Sequence, residues 1–311
     1  MTDYRAVFDF TVTFVNGGDL SGTDFRLDLP AEDLDEPEIG RLLVQHLGLA
    51  LVDAIELREL RTVAEQHRGS RGVAAPVDAE APGATPVRVV DLSHPIRAGL
   101  VTYPGLPAPV ITPHLTREAS RATYAPGTEF AMDVITMIGN TGTYLDSPFH
   151  RYGDGADLAG LDLSTLVGLR AEVFHLTDAW TPERRGIRPE TLADRDVRGA
   201  AVLLHTGWDR HFGEPEYGVG APYLTGEAAQ WLIDQGVVLV GIDSVNIDDT
   251  APETGGARPA HTLLLGAGVH VVEHLTNLDE LPPSGARFTA APPAVEGFGT
   301  FPVRAFAQVP R

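Results

Sequence analysis

Two residue types are missing from this chain of 311 residues, which contains no cysteine and no lysine. Without cysteine, the chain cannot form disulfides, thiolate nucleophiles or cysteine-ligated zinc sites. Without lysine, Schiff-base chemistry on a lysine amine is excluded, and arginine supplies the permanent positive charges. The sequence also has no run that approaches the roughly 18 apolar residues of a membrane-spanning helix.

Positive charge is scarce in the chain as a whole. It has 23 basic residues against 43 acidic ones, a formal net charge of -20 and a pI of about 4.8. No basic patch stands out, so we expect no nucleic-acid partner, and anionic membrane surfaces would repel the chain. A hydrophobic content of 43% is ordinary for a globular protein. Because the N-terminus carries no apolar signal segment, the sequence predicts a cytoplasmic protein.

The first 65 residues have the pattern of a small separate domain. Apolar and polar residues alternate along two stretches, which predicts a strand pair: Phe8, Phe10, Val12 and Phe14, then Phe25, Leu27 and Leu29. Pro37 suits the first turn of a helix, and a third strand is predicted over 51–60. We therefore predict a ββαβ domain over 1–65, followed by a Gly-, Ala- and Pro-rich linker over 66–87.

Residues 88–311 are predicted to form a larger α/β domain. Short apolar runs are typical of buried strands, and they cover 201–204, 237–242 and 269–273. Thr225 can cap a helix that ends near Gly236. This mixture favours a central mixed sheet. We find no Walker loop and no dinucleotide fingerprint, so nucleotide cofactors are not indicated.

The segment Gly142–His150 is the densest in reactive side chains. It places Asp146 and His150 four residues apart with Pro148 between them, and proline favours a rigid turn over a helix interior. A carboxylate and an imidazole on such a turn suit metal binding or proton transfer. Together with Asp146, His261 and Glu273 would make a nitrogen and oxygen ligand set for Zn²⁺ or Mn²⁺. Spacing alone does not show that these residues converge.

The same segment resembles the signature of the kynurenine formamidase and cyclase family. That signature reads His-x-Gly-Thr-His-x-Asp-x-Pro-x-His, and this chain has Asn140-Thr-Gly-Thr-Tyr144-Leu-Asp146-Ser-Pro148-Phe-His150. Further landmarks agree in order: Asp91-Leu-Ser-His-Pro95, Tyr103-Pro-Gly105, Leu204-His-Thr-Gly-Trp208, Gly241-Ile-Asp-Ser244, His261-Thr-Leu-Leu and Glu273. The resemblance covers about 88–311 and implies a swivelling α/β fold, often a homo-oligomer, with amide-hydrolysing members.

The resemblance also implies a metal site that this chain has partly lost. In the family's hydrolases the two signature histidines and the aspartate hold one metal, whereas the aspartate, a later histidine and a glutamate hold a second. Here Asn140 and Tyr144 replace the histidines, and both are poor ligands, so the first metal position is expected to be absent. The second set matches Asp146, His261 and Glu273. His150 matches the family's acid/base histidine, and Tyr103 stands where the family often places an aromatic against the substrate.

Three functions remain open from the sequence. The leading hypothesis is an enzyme that performs acid/base carbonyl chemistry, such as ring closure, dehydration or isomerisation, on a small aromatic or polyketide-like molecule. It would use His150 as base, with Tyr144 and Asn140 as proton or hydrogen-bond donors, and no metal or a single one. The alternatives are a hydrolase of an amide or lactone with one Zn²⁺ or Mn²⁺, and a non-catalytic binding or assembly protein. Asp248 and Asp249 are interpreted as a solvated loop.

Overall fold

The protein divides into two compact units, Met1–Ala81 and Pro82–Arg311, in a computed structural model. The structure describes residues 2–15, 17–29, 34–47, 49, 51–66 and 86–311. The predicted linker over 66–87 therefore lies almost wholly outside the described residues. None of the described helices is long and apolar enough to cross a membrane.

The smaller unit has the ββαβ order that the sequence predicts. Its elements are β1 (Thr2–Phe14), β2 (Asp19–Leu29), α1 (Glu36–Leu47) and β3 (Val52–Gln66), and the antiparallel sheet has the order β2-β1-β3. Asp35 and Glu38 cap α1 reciprocally, since each side chain accepts a hydrogen bond from the other residue's backbone N–H. The alternating apolar side chains of β1 and β2 form the core together with one face of α1.

Over its described residues, the larger unit has short strands, three α-helices and several one-turn 3-10 helices. Its strands are β4 (Val87–Asp91), β5 (Val110–Leu115), β6 (Met132–Thr136), β7 (Tyr144–Asp146), β8 (Leu169–His175), β9 (Gly186–Ile187), β10 (Ala201–His205), β11 (Tyr223–Leu224), β12 (Leu239–Ile242), β13 (His270–Glu273), β14 (Ser284–Thr289), β15 (Thr300–Pro302) and β16 (Phe306–Pro310). Its helices are α2 (Arg117–Ser120), α3 (Gly226–Asp234) and α4 (Pro259–Gly266).

A nine-stranded mixed sheet organises this unit, in the order β15-β7-β13-β12-β10-β8-β14-β16-β4. The four central strands β13, β12, β10 and β8 are parallel, and the strands on both sides of them are antiparallel. The central strands are buried because separate apolar clusters pack on the two faces of the sheet, as their uninterrupted apolar runs predict. Thr225 accepts a hydrogen bond from Ala228 N and begins α3 as expected. The α/β fold class is therefore confirmed.

We expect the stability of the larger unit to depend on close packing of its central strands. Leu203, in β10, is fully buried, and its replacement by alanine should lower the free energy of unfolding by about 2–5 kcal/mol. Leu163→Ala is the control, because that side chain is 63% exposed and its loss should change stability by less than about 0.5 kcal/mol. All three tryptophans, Trp180, Trp208 and Trp231, lie in this unit, so urea unfolding followed by tryptophan fluorescence reports on it alone. Equal midpoints for the two variants would contradict the expectation.

Candidate active site

The pairing of β7 with β13 places three of the predicted site residues on one face of the sheet. Residues two apart in a strand point to the same side, so Tyr144 and Asp146 share a face. Glu273, the last residue of β13, lies directly opposite Tyr144 in the antiparallel register and therefore joins them. All three are buried, with exposures of 2%, 0% and 1%. Leu145, between them in sequence, points into the apolar core on the other side.

His261 reaches this face from the first turn of α4. Its Nδ1 lies 2.8 Å from an Asp248 oxygen, and Asp248 also accepts hydrogen bonds from the backbone N–H groups of Ala260 and His261. Asp248 thus accepts hydrogen bonds from two N–H groups in the first turn of α4 and from the Nδ1–H group of the imidazole. The other ring nitrogen, Nε2, faces Asp146 and Glu273.

The gap between these side chains has the dimensions of a metal site. His261 Nε2 lies 3.5 Å from Asp146 Oδ2 and 3.6 Å from Glu273 Oε1, which is too long for good hydrogen bonds. Ligand atoms around a tetrahedral Zn²⁺ at about 2.0–2.2 Å are separated by about 3.3–3.6 Å. Asp146 Oδ2 is buried and has no hydrogen-bond donor. Asp146, His150 and His261 each offer a ligand atom within 4.8 Å of the others, and Glu273 lies beside His261, so these residues fit a divalent metal. The carboxylate–histidine contact from Asp248 is the usual support of such a ligand.

The pKa shifts of His261, Glu273 and Asp146 also indicate that this cluster favours a positive charge. Burial on its own lowers the pKa of His261, but Glu273, Asp146 and Asp248 outweigh it and raise that pKa to about 10. Burial raises the pKa of Glu273 to about 7, against the opposing effect of His261. Burial also works to raise the pKa of Asp146, but the two histidines, His261 and His150, hold it below its ordinary value. The cluster thus attracts a cation, whether a proton or a metal.

His150 is held by a relay through Thr300. Thr300 in β15 lies opposite Asp146, donates its hydroxyl proton to Asp146 Oδ1, and lies 2.7 Å from His150 Nδ1. Because the threonine has given its only proton to the carboxylate, it must accept the next hydrogen bond, so His150 Nδ1 carries a hydrogen. The other nitrogen, Nε2, is then the basic one. His150 also lies within 4.8 Å of the ligand atoms of Asp146 and His261, so its position alone allows either a basic or a ligand role.

Tyr144 lies at the end of a second chain of hydrogen bonds. Its hydroxyl donates to Glu273 Oε2 at 2.7 Å and lies 3.2 Å from His274 Nε2, while Tyr217 lies 2.8 Å from His274 Nδ1. Burial lowers the pKa of His274 to about 3, so this ring is neutral. It accepts a hydrogen bond from Tyr217 at Nδ1 and donates one to Tyr144 from Nε2. Burial and the charge of Glu273 raise the pKa of Tyr144 well above 10. The tyrosine proton is therefore committed to Glu273.

A cavity of about 410 Å³ opens over the cluster. It is lined by Asn140, Tyr144, His150, Arg151, Asn246, Gly256, Ala257, Arg258, His261, Thr262 and Glu273. The structure thus brings together all the predicted site residues except Tyr103, with Asp146 buried beneath the cavity lining. Tyr103 lies outside this lining and packs, half-buried, against the aromatic cluster that includes Trp208 and Tyr217.

Sequence reasoning missed several of these contacts. The interpretation of Asp248 and Asp249 as a solvated loop is wrong, because Asp248 is 2% exposed and Asp249 forms an ion pair with Arg185 at 2.9 Å. The sequence signal was weak, since Asp248 lies 13 positions before His261 and an acidic pair is usually solvated. No sequence motif pointed to Thr300 or His274 as members of the site. His274 adopts a positive φ of 57°, which is uncommon for a residue with a side chain, and its two hydrogen bonds hold it there.

Comparison with known proteins gives consistent matches over the larger unit. Residues 90–249 match the model of a family described as "Putative cyclase". The kynurenine formamidase of Geobacillus thermodenitrificans (strain NG80-2) is 37% identical over 174 residues, which cover 55% of this chain and 77% of that protein.

Solved structures agree with these sequence matches. Isatin hydrolase A from Labrenzia aggregata, bound to benzyl benzoate, superposes with a TM-score of 0.61 at 25% identity and covers 72% of this chain and 94% of its own. A protein described as a potential metal-dependent hydrolase with cyclase activity gives a TM-score of 0.57 at 26% identity, over 73% of this chain and 99% of its own.

Asp248 should matter to metal binding although it is not itself a ligand. We expect Asp248→Asn to weaken Zn²⁺ affinity by about 10- to 100-fold. A neutral amide oxygen is a weaker acceptor than a carboxylate for the Nδ1–H group of His261. Competition against a fluorescent chelator measures the affinity. Asp249→Asn is the matched control, since it removes the same charge one residue away and leaves His261 untouched. Equal affinities for the two variants would refute the role of Asp248.

Proposed function

The chain belongs to the cyclase family, and we propose that it is a hydrolase of a small-molecule amide or lactone that uses one divalent metal held by Asp146, His261 and Glu273. Relatives named kynurenine formamidase and isatin hydrolase support an enzyme of the metal-dependent hydrolase type. The number of metals, the substrate and the role of each residue are our proposal. Zn²⁺ and Mn²⁺ both suit the nitrogen and oxygen ligands.

The arrangement of His261 is the observation that carries this proposal. Its Nδ1 is engaged by Asp248, and its Nε2 lies 3.5 and 3.6 Å from the oxygens of two buried carboxylates. Two buried carboxylate oxygens beside the same imidazole nitrogen are costly unless a cation lies among them, either a proton on His261 or a metal. A divalent cation there supplies Lewis-acid activation of a carbonyl group and of water.

The remaining chemistry falls to His150. His150 lines the cavity, and its Nε2 takes a proton from the attacking water and returns it to the leaving nitrogen or oxygen. Thr300 and Asp146 fix the ring and its tautomer through Nδ1, as the third member of a catalytic triad does. Asn140 lines the same cavity and offers an amide N–H to the oxyanion that forms at the carbonyl carbon.

The replacement of two signature histidines supports one metal rather than two. Tyr144 occupies the position of the second signature histidine, and its hydroxyl donates to the outer oxygen of Glu273. A neutral hydroxyl whose pKa is raised by burial remains protonated, so it serves as a donor and not as a ligand. Asn140, at the position of the first signature histidine, is also a poor ligand for a transition metal.

Ring closure or dehydration with Tyr144 as the acid has weaker support. The hydroxyl proton of Tyr144 is already given to Glu273, and its raised pKa makes it a poor acid. The similar proteins named kynurenine formamidase and isatin hydrolase also favour hydrolysis. A purely non-catalytic role leaves the His150 relay through Thr300 without a purpose.

Metal content is the direct test of the proposed site. We expect elemental analysis of the purified, untagged protein to find about one Zn or Mn per chain, and Asp146→Asn to abolish it. Restoring the family signature with the double variant Asn140→His and Tyr144→His should raise the content to about two, because two imidazoles then join Asp146. Wild-type protein that binds no added Zn²⁺ or Mn²⁺ would refute the metal site, and two ions per chain in the wild type would refute the single-metal proposal.

His150 should be needed for turnover but not for metal binding. With formanilide as a test amide, we expect His150→Gln to lower kcat by about 100-fold or more, which is the usual contribution of a general base. Metal content should stay at about one per chain. Since His150 also lies within reach of the ligand atoms, a matching loss of metal in this variant would show that it is a ligand instead.

A further inference from the structure

Two histidines outside the proposed catalytic site contact each other at one edge of the central sheet. His175 is the last residue of β8 and His205 is the last residue of β10, and the parallel register places them directly opposite each other. Their Nδ1 atoms lie 2.8 Å apart, and the ring planes cross at 89°. The carboxyl edge of parallel strands is where α/β proteins commonly bind ligands. The pair is therefore a candidate for a second site.

This histidine pair lies on the opposite face of the sheet from the catalytic carboxylates. Side chains alternate along a strand, so the two histidines share a face with Val173 and Leu203. Those two residues belong to the apolar cluster that also contains Leu145, which points away from the catalytic carboxylates. Neither histidine is among the residues that line the cavity over the catalytic cluster. A ligand bound to the pair would therefore leave the proposed catalytic groups untouched.

Hydrogen bonds define which ring nitrogens of the pair carry protons. His175 Nε2 lies 3.2 Å from the backbone oxygen of Leu281, which can only accept, so this nitrogen carries a hydrogen. In the neutral ring, His175 Nδ1 is then an acceptor, and His205 Nδ1 donates to it. Burial and the neighbouring His175 lower the pKa of His205, so its ring is neutral at pH 7. Neutral imidazoles are the form that binds metal ions.

Local charge and geometry both suit a divalent transition metal. The carboxylates of Asp209 and Asp279 oppose the lowering of the His205 pKa, so they bring negative charge towards the pair. Two ligands about 2.0 Å from an ion and at right angles to each other are about 2.8 Å apart, whereas tetrahedral ligands are about 3.3 Å apart. The 2.8 Å between the Nδ1 atoms thus matches the square geometry that Cu²⁺ prefers.

We propose that His175 and His205 form a Cu²⁺ site, in which the two Nδ1 atoms are adjacent ligands and water completes the coordination. Binding requires that His205 move its hydrogen from Nδ1 to Nε2, which frees the second lone pair without changing the charge of the ring. His175 is exposed, so its ring can turn towards the ion. The bound ion would link the ends of two neighbouring strands. This site depends neither on the metal nor on the reaction of the proposed function.

Copper titration of the purified protein tests the site. Against a competing chelator, His175→Gln and His205→Gln should each raise the Kd of one Cu²⁺ per chain at least about tenfold, since loss of even an outer-shell partner costs that much. Electron paramagnetic resonance should show the splitting from two imidazole nitrogens in the wild type and lose it in both variants. His114→Gln is the matched control, because that histidine is exposed on β5, and it should bind copper like the wild type.

The variant Asp146→Asn separates this site from the proposed catalytic metal. It should lose the catalytic ion and keep the copper ion that depends on the pair. Equal copper affinity in the wild type and both pair variants would refute the site, whatever is found for the catalytic metal. An equal loss in His114→Gln would also refute it, because binding would then not be specific to the pair. His175 is exposed, so His175→Gln should remain folded by tryptophan fluorescence if His205→Gln does not.

Discussion

Burial of the negative charges of Asp146 and Glu273 is the constraint on which the rest of the site depends. Two ionised carboxylates without water are costly to bury unless positive charge or hydrogen-bond donors compensate them. Several neighbouring groups supply hydrogen-bond donors to these carboxylates. Thr300 and Tyr144 each donate a hydroxyl proton, Ile247 donates its backbone N–H to Glu273, and one oxygen of Asp146 is left facing His261. That oxygen of Asp146 has no hydrogen-bond donor, so it marks the place where a cation would be stabilised.

The fold meets this requirement with short elements at one end of a mixed sheet. β7 and β13 bring the carboxylates together by register, and α4 delivers the imidazole. Asp248 accepts hydrogen bonds from both the first turn of α4 and the imidazole of His261, so the start of the helix and the orientation of the ligand are coupled. A substitution of Asp248 would therefore alter the orientation of His261, although Asp248 is not among the residues that line the cavity.

A second set of hydrogen bonds surrounds the outer oxygen of Glu273. A directed chain from Tyr217 through His274 and Tyr144 ends on Glu273 and stabilises the carboxylate with hydrogen bonds. Tyr144, at a position where the resemblance implies a histidine, is thus a neutral hydrogen-bond donor to Glu273. Fold membership thus leaves the chemistry to a few side chains, which is why the site rather than the fold must be tested.

The sequence by itself determined the local features of this protein: the ββαβ order, the buried strands, the turn at Pro148 and the family to which the chain belongs. These depend on periodicity, on proline geometry and on motif residues that lie close together in sequence. Tertiary structure decided the partners of those residues. Asp248 proved to be buried, Thr300 joined Asp146 from 154 residues away, and Arg258 reached the cavity. Such contacts arise from strand register and helix docking, which bring distant segments together and leave no periodic pattern in the sequence.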